Sequence, residues 1–132
     1  MATTTATITL NSADLTTDAL ALSKTATLTK AGTTTGLSET SGVGRKTTTA
    51  SSAVTLFANG EYDDTRAHKV YVCNTSSTAT EYVTITIGTQ SVGLLYAGDW
   101  ALIPWDGTAD FKYTPSVATS FTLEYQLFVD PS

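Results

Sequence analysis

Apolar and polar residues alternate one by one along much of this chain, and that period of two restricts what it can fold into. Successive side chains of a β-strand point to opposite faces of a sheet, so alternation gives each strand one face to bury and one to leave in water. The clearest alternating runs are Val70–Cys73, Val83–Ile87 and Phe121–Val129, with weaker ones at Ile8–Leu10 and Leu20–Leu28. No stretch repeats apolar residues at helical spacing over several turns. We therefore predict an all-β protein.

The abundance of threonine points the same way. Threonine makes up about a fifth of the 132 residues, and its branched Cβ suits a pleated, half-exposed strand better than a helix. Charged residues are only 14% of the chain, which is low for a soluble domain. Much of the surface must therefore be uncharged.

Turn residues divide the second half of the chain into short segments. Shorter strands fit between the turns at Ala53–Ala58, Val92–Tyr96, Trp100–Ile103 and Asp110–Tyr113. The turn signals are Asn59-Gly60, Asn74-Thr75-Ser76-Ser77, Ala97-Gly98-Asp99, Asp106-Gly107 and Thr114-Pro115-Ser116. Strands that recur about every ten residues are typical of a β-sandwich or a jelly-roll-like barrel, and we predict one of these two architectures.

The two halves of the chain differ in core material. Every Trp, Tyr and Phe lies beyond residue 56, whereas the first half holds Thr, Ser, Ala and Gly with isolated aliphatic residues. Residues 30–50 form a Gly/Ser/Thr-rich run with little to bury, which we interpret as an arm or exposed loop. We therefore predict an extended Thr-rich N-terminal arm at 1–52, with one or two strands and a long loop, and a β-sandwich domain at 53–132.

Charge and cysteine content exclude several classes of protein. The net charge of −5 and the pI near 4.5 disfavour a nucleic-acid partner, which needs clustered Lys and Arg. Met1 to Thr9 lacks the basic start and apolar run of a secretory signal, and no later stretch is apolar enough to span a membrane. Cys73 is the single cysteine, so an internal disulfide is impossible. We expect a cytoplasmic product with no membrane partner.

A Gly-rich segment at 42–47 superficially resembles a phosphate loop. A P-loop places Gly directly before its Lys, whereas Arg45 precedes Lys46 here, and the pattern offers no helix to follow. The segment is better interpreted as a flexible turn, or as a basic contact to an acidic partner through Arg45 and Lys46.

Three carboxylates and the single histidine fall close together in sequence. Glu61, Asp63, Asp64 and His68 are residue types that bind hard cations, but their spacing matches neither an EF-hand loop nor a zinc motif. We interpret the segment as a solvated loop. One His leaves few catalytic schemes, and Cys73 is interpreted as a small buried hydrophobic residue. We therefore expect no enzyme activity, no cofactor and no metal.

Three aromatic residues are the best candidates for a binding surface in the second half. Tyr96, Trp100 and Trp105 could form a platform for sugar rings, or could pack in the core or at a subunit interface. Trp100 shares its strand parity with Leu102 and Trp105 shares its parity with Ile103. The sequence leaves both alternatives open.

The order of segments in the second half resembles a known class of protein. A strand that ends at Asn74 is followed by the β-branched strand 83–88, then by an apolar strand that leads through a Gly-acid turn to Ile103-Pro104, and finally by the amphipathic strand 121–129. Over residues 69–129 the chain resembles small β-sandwich virion proteins of tailed bacteriophages, especially capsid decoration (cement) proteins.

The resemblance implies a function and a set of partners. It implies a virion structural protein that is made in the host cytoplasm and decorates the capsid surface. Such a protein stabilises the capsid by binding major capsid protein subunits, or another virion protein, and its own copies in a homo-oligomer. A tail or fibre-associated virion protein is one alternative, and a carbohydrate-binding β-sandwich module is another.

The Thr-rich arm is the part that we expect to make contacts in such an assembly. An extended arm can add a strand to the exposed sheet edge of a neighbour, where main-chain hydrogen bonds need no specific side chains. We therefore predict partner contacts at Thr7, Ile8, Thr9 and Leu10, together with Arg45 and Lys46.

Overall fold

A computed structural model describes residues 4–14, 19–28, 37 and 39–130. This part of the chain contains strands and no helix, which confirms the all-β prediction. The strands are β1 (Thr4–Ser12), β2 (Leu20–Leu28), β3 (Glu39–Thr40), β4 (Gly44–Thr48), β5 (Val54–Phe57), β6 (His68–Asn74), β7 (Tyr82–Ile87), β8 (Gln90–Tyr96), β9 (Trp100–Trp105), β10 (Phe111–Pro115) and β11 (Phe121–Val129).

The chain divides into two compact units, Met1–Ser38 and Glu39–Ser132. In the first unit, β1 and β2 pair antiparallel over their whole length, from Thr4 opposite Leu28 to Ser12 opposite Leu20. Both strands were predicted from their alternation. We call this pair the N-terminal hairpin.

The second unit consists of two antiparallel sheets. In sheet I the order is β4-β11-β6-β9. The short strand β3 pairs with the same edge of β11 as β4 does, nearer the C-terminal end of β11. In sheet II the order is β5-β10-β7-β8. From β4 to β11, each strand is followed by one in the opposite sheet, except that β7 and β8 form a hairpin. This is the strand order of an eight-stranded jelly roll. In the described residues the sheets do not close into a barrel, so of the two predicted architectures the sandwich is the correct one.

The hydrophobic core lies between these two sheets and follows the alternation of the sequence. Within β6 every second residue is buried, and the side chains between them point to the outer face of sheet I. The same holds for β10 and for the first half of β11. The fully enclosed apolar residues are Phe57, Val70, Val72, Val83, Ile85, Trp105, Phe111, Tyr113, Phe121, Leu123 and Leu127.

Strands β3 and β4 lie inside the segment that the sequence predicts to be an exposed loop. Gly44–Thr48 pairs with Phe121–Tyr125 of β11, although it has almost no apolar residues. Main-chain hydrogen bonds do not depend on side-chain type, which is why alternation could not identify this strand. The boundary between the units accordingly lies after residue 38, whereas the sequence analysis placed it after residue 52.

Three of the predicted turns contain a glycine in the left-handed backbone conformation. Gly60, Gly98 and Gly107 have φ values of 79°, 83° and 83°, which favour glycine. Gly107 also approaches another loop closely, because a Cβ there would lie 2.6 Å from the carbonyl oxygen of Asp63. Gly107 thus holds the β9–β10 turn against the loop that precedes β6.

Candidate interaction surfaces

The N-terminal hairpin has one aliphatic face and one hydroxyl face. The strand register places residues of even number from both strands together on one side and residues of odd number on the other. The aliphatic face carries Ala6, Ile8, Leu10, Leu20, Leu22, Ala26 and Leu28, with Lys24 as its charged residue and Thr4 and Ser12 at its ends. The opposite face carries Thr5, Thr7, Thr9, Asn11, Ala21, Ser23, Thr25 and Thr27.

The aliphatic face of the hairpin is exposed at its middle and half-buried at Ala6, Leu20 and Leu28, while hydroxyls of the opposite face bond to each other. Ile8 and Leu10 are 44% and 47% exposed. On the other side, the Thr7 and Thr25 hydroxyls lie 2.9 Å apart and share a hydrogen bond. The four contact residues predicted in this segment therefore divide between two faces. The aliphatic pair is available for packing, whereas Thr7 already has a partner within the hairpin.

Arg45 and Lys46 are adjacent in sequence but point to opposite faces of sheet I. Arg45 lies on the outer face, where its Nε donates to Glu124 Oε2 at 3.0 Å and its side chain is 70% exposed. Lys46 points toward the interior edge of the sandwich, and its Nζ donates to the backbone oxygen of Thr55 on β5 at 3.3 Å. The two cations do not form one basic patch. The segment also runs into a strand, whereas a phosphate loop runs into a helix.

The three aromatic candidates do not form a single platform. Trp105 is 2% exposed and belongs to the core, where its Nε1 donates to the Ala109 carbonyl at 2.8 Å. Tyr96 lies on the outer face of sheet II beside Tyr82, with ring centroids 5.4 Å apart. Trp100 is opposite Cys73 on the outer face of sheet I and is 57% exposed. Only Tyr96 and Trp100 are therefore available at the surface, and they lie on opposite faces of the sandwich.

Trp100 begins a row of side chains that crosses the outer face of sheet I, which we call the Trp100 row. In register, Trp100 is opposite Cys73, Cys73 is opposite Glu124, and Glu124 is opposite Arg45. The next row contains Tyr71, whose hydroxyl donates to Glu124 Oε1 at 3.3 Å. Burial and hydrogen bonds to Cys73 and Glu124 raise the pKa of Tyr71 to about 12.

Tyr71 and Glu124 are not among the site residues predicted from the sequence. The sequence signal that could have identified them is their parity. Both residues alternate with core residues along their strands, so their side chains must face outward. Cys73 follows the same rule and is only partly buried on the outer face, so the expectation that it is a buried core residue is wrong.

His68 lies inside the sandwich and not in a solvated loop. Its side chain is 0% exposed, its Nδ1 accepts the backbone N–H of Asp130 at 3.0 Å, and its Nε2 lies 2.9 Å from the carbonyl oxygen of Asp63. The ring is therefore neutral, with the proton on Nε2. Asp64 remains exposed. Among the described residues, no three His, Cys, Asp or Glu side chains form a group that could hold a metal.

A groove of about 390 Å³ lies beside Trp105, where Arg66, Lys69 and Asp106 contribute its charged groups. Lys69 Nζ donates to the carbonyl oxygens of Ala67 and His68, and burial lowers the pKa of Lys69. Asp106 accepts hydrogen bonds from the backbone and hydroxyl of Thr108, and these bonds lower its pKa. Lys69 and Asp106 thus bond to neighbouring groups of the chain itself.

Comparison with known protein families, curated proteins and solved structures gives no match for this chain. Within its described residues, the chain contains no helix long and apolar enough to cross a membrane.

Proposed function

We propose that this chain is a virion structural protein that decorates and stabilises a bacteriophage capsid by binding major capsid protein subunits and its own copies. The observation that carries the proposal is the N-terminal hairpin, whose aliphatic face is exposed. The protein is made in the host cytoplasm and placed on the capsid surface. The hairpin is the attachment element, and the sandwich is the folded body that it anchors.

A partner would stabilise the hairpin for physical reasons. An isolated two-stranded hairpin is marginally stable in water, and stability requires a third strand or packing against another surface. Strands of nine residues span roughly 30 Å. Covering Ile8, Leu10 and Leu22 would add about 25 cal/mol for each Å² of apolar surface removed from water. The outer edges of β1 and β2 also offer main-chain groups for strand addition to a neighbouring subunit.

Two edge strands of the sandwich, β9 and β8, are less suited to strand addition than the strands of the hairpin. Pro104 lies on the edge strand β9 and has no N–H to donate to a neighbour. The pairing of β7 with the edge strand β8 shifts register between Ile85 and Thr86, and such bulges twist an edge away from pairing. These features favour the hairpin as the element that joins subunits.

Stabilisation of a capsid follows from mass action. A protein that binds the assembled lattice but not its separate subunits shifts the equilibrium toward the assembled state, and many copies add their contributions. A chain with 14% charged residues and many hydroxyls also suits close packing against identical copies. A tail or fibre-associated location would use the same hairpin on a different virion surface. Carbohydrate binding, the other function that the sequence allows, would use a surface of the sandwich and not the hairpin.

The test is co-sedimentation of the purified protein with mature capsids of a phage whose genome encodes the chain. We expect wild-type protein to sediment with the capsids, and a Leu10→Asn/Leu22→Asn double variant to remain in solution. Thr9→Asn, on the hydroxyl face of the same hairpin, is the matched control and should still bind. Electron microscopy of labelled virions distinguishes capsid from tail or fibre. A wild-type protein that stays monomeric and does not sediment with capsids or virions contradicts the proposal.

A further inference from the structure

The outer face of sheet I offers an aromatic ring that the protein itself leaves uncovered. Trp100 lies on the edge strand β9, so β6 flanks it on one side only. Its cross-strand neighbour on β6 is Cys73, whose small side chain cannot cover an indole. The pairing of β9 with β6 fixes the backbone beneath Trp100, while the side chain remains 57% exposed. The backbone that carries the ring is therefore fixed, and the ring itself is open to a ligand.

Oriented polar groups continue from this ring across the sheet. Glu124 Oε2 accepts from Arg45 Nε at 3.0 Å and lies 2.9 Å from Arg45 Nη2, while Oε1 accepts from the Tyr71 hydroxyl. Two of the five N–H donors of an arginine suffice for these contacts, so Arg45 retains donors for a ligand. Farther along β11, Gln126 Nε2 donates to Thr40 Oγ1 at 2.9 Å. These groups hold one another in place and need little reorganisation on binding.

The dimensions and chemistry of the Trp100 row fit a sugar chain. Trp100 and Arg45 lie on the first and last of four adjacent strands. Three strand spacings, or roughly 14 Å, therefore separate them, which is longer than one sugar ring. The C–H face of a sugar ring packs on an aromatic ring, and its hydroxyls pair with carboxylate, guanidinium and amide groups. An aromatic ring at one end of a row of such groups provides both kinds of contact.

The residues of this face argue against a protein or a nucleic acid as the ligand. The centre of a protein interface is depleted of charged residues, whereas this face carries the Glu124–Arg45 ion pair at the end of the row opposite Trp100. Nucleic acids need uncompensated positive charge, but Arg45 is neutralised by Glu124 and the chain carries a net charge of −5. The face therefore favours an uncharged ligand rich in hydroxyl groups.

We propose that the outer face of sheet I binds neutral oligosaccharide chains, with one sugar ring packed on Trp100 and the hydroxyls of other rings of the same chain paired with Glu124 and Arg45. This site is separate from the N-terminal hairpin and is independent of the capsid assignment. A virion protein with such a face would also attach the particle to glycan surfaces.

The experiment uses the full chain and a panel of soluble neutral polysaccharides: β-glucan, xylan, mannan and dextran. Binding is measured by titration calorimetry and by tryptophan fluorescence, to which exposed Trp100 and buried Trp105 contribute separately. We expect at least one polysaccharide to bind and to protect Trp100 from a soluble quencher. Trp100→Ala should weaken binding about tenfold or more, as the loss of an aromatic contact predicts. Glu124→Gln, which removes the charge but keeps the shape, should weaken binding less.

Tyr96→Ala is the matched control, since Tyr96 is an exposed aromatic residue on the opposite sheet, and it should leave binding unchanged. Circular dichroism and the melting temperature of each variant report on folding. The proposal is overturned if no neutral polysaccharide binds, if only anionic polymers bind, or if Trp100→Ala binds as well as wild type. It is also overturned if Trp100→Ala alters sedimentation of the free protein, since the face would then be a contact between copies.

Discussion

The ring of Tyr125 lies directly against the backbone of Gly44 on the neighbouring strand. The two residues are a cross-strand pair of β11 and β4, and a Cβ at Gly44 would lie 2.9 Å from Tyr125 Cζ. An aromatic side chain that covers a glycine on an edge strand compensates for the missing side chain. This contact attaches a strand without apolar residues to the rest of the sandwich.

Gly44→Ala should destabilise the sandwich by about 1–3 kcal/mol, because the added methyl group must displace the Tyr125 ring from its packed position. Gly93→Ala is the control, since a Cβ at Gly93 meets nothing within 4 Å, and its free energy of unfolding should change by less than about 1 kcal/mol. Urea unfolding followed by fluorescence measures both changes. Equal effects of the two substitutions would show that the contact with Tyr125 is not tight.

His68→Phe should destabilise the protein more strongly than Gly44→Ala. The substitution keeps an aromatic ring but leaves the buried N–H of Asp130 and the carbonyl of Asp63 without their partner. Each such loss costs about 1–3 kcal/mol, so the free energy of unfolding should fall by about 2–5 kcal/mol. Asp64→Asn, in the exposed loop, should change it by less than about 0.5 kcal/mol. If His68→Phe unfolds like wild type in urea, the two ring hydrogen bonds do not stabilise the fold.

Two shortened chains test where the sandwich begins. Residues 39–132 retain β4 and its contacts with β11 and should unfold cooperatively near the midpoint of the sandwich in the full chain. Residues 53–132 lack β4, which removes the Arg45–Glu124 ion pair and the cover that Gly44 and Tyr125 provide for each other. We expect this shorter chain to be clearly less stable or to aggregate through the exposed edge of β11. Equal stability of both chains would restore the boundary predicted after residue 52.

Alkaline pH should destabilise the sandwich partly through Tyr71. The pKa of Tyr71 is raised from 10.0 to about 12, first by burial and then by its contacts with Cys73 and Glu124. A raised pKa means that folding favours the neutral phenol, so this stabilisation is complete below pH 10 and is lost as pH rises through 12. Tyr71→Phe should remove the phenolate absorbance that appears near pH 12 and flatten the loss of stability above pH 10. If the absorbance that Tyr71→Phe loses lies near pH 10 and not near pH 12, Tyr71 ionises at an ordinary pH.

Alternation predicted the strands of the core well because it is a local property. The core positions of β6, β7 and β11 follow from which residues share parity, and the structure buries Val70, Val83 and Leu123 accordingly. The two tryptophans show where this reasoning stops. Parity placed Trp100 and Trp105 on opposite faces of β9, but it could not say which face was the inner one. That depends on Ile103 and Trp105 lying opposite Val70 and His68 of β6.

His68 shows a second limit of sequence reasoning. Three carboxylates within a few residues made a solvated loop the reasonable expectation, yet the imidazole is buried and bonded to two backbone groups. One of them belongs to Asp130, which is 62 residues away in the chain. A pattern within a short window contains no information about such a partner.

The local chemistry of the chain settles that it forms strands, where it turns, and which side chains share a face, because each depends on the geometry of a few consecutive residues. Folding in three dimensions settles which strands pair, and with that the place of β4 beside β11, the burial of Trp105 and the exposure of Trp100. Main-chain hydrogen bonds are nearly independent of sequence, so the choice of partner is made by the packing of the whole sandwich. Gly44 and Tyr125 are 81 residues apart, and only that packing brings them into contact.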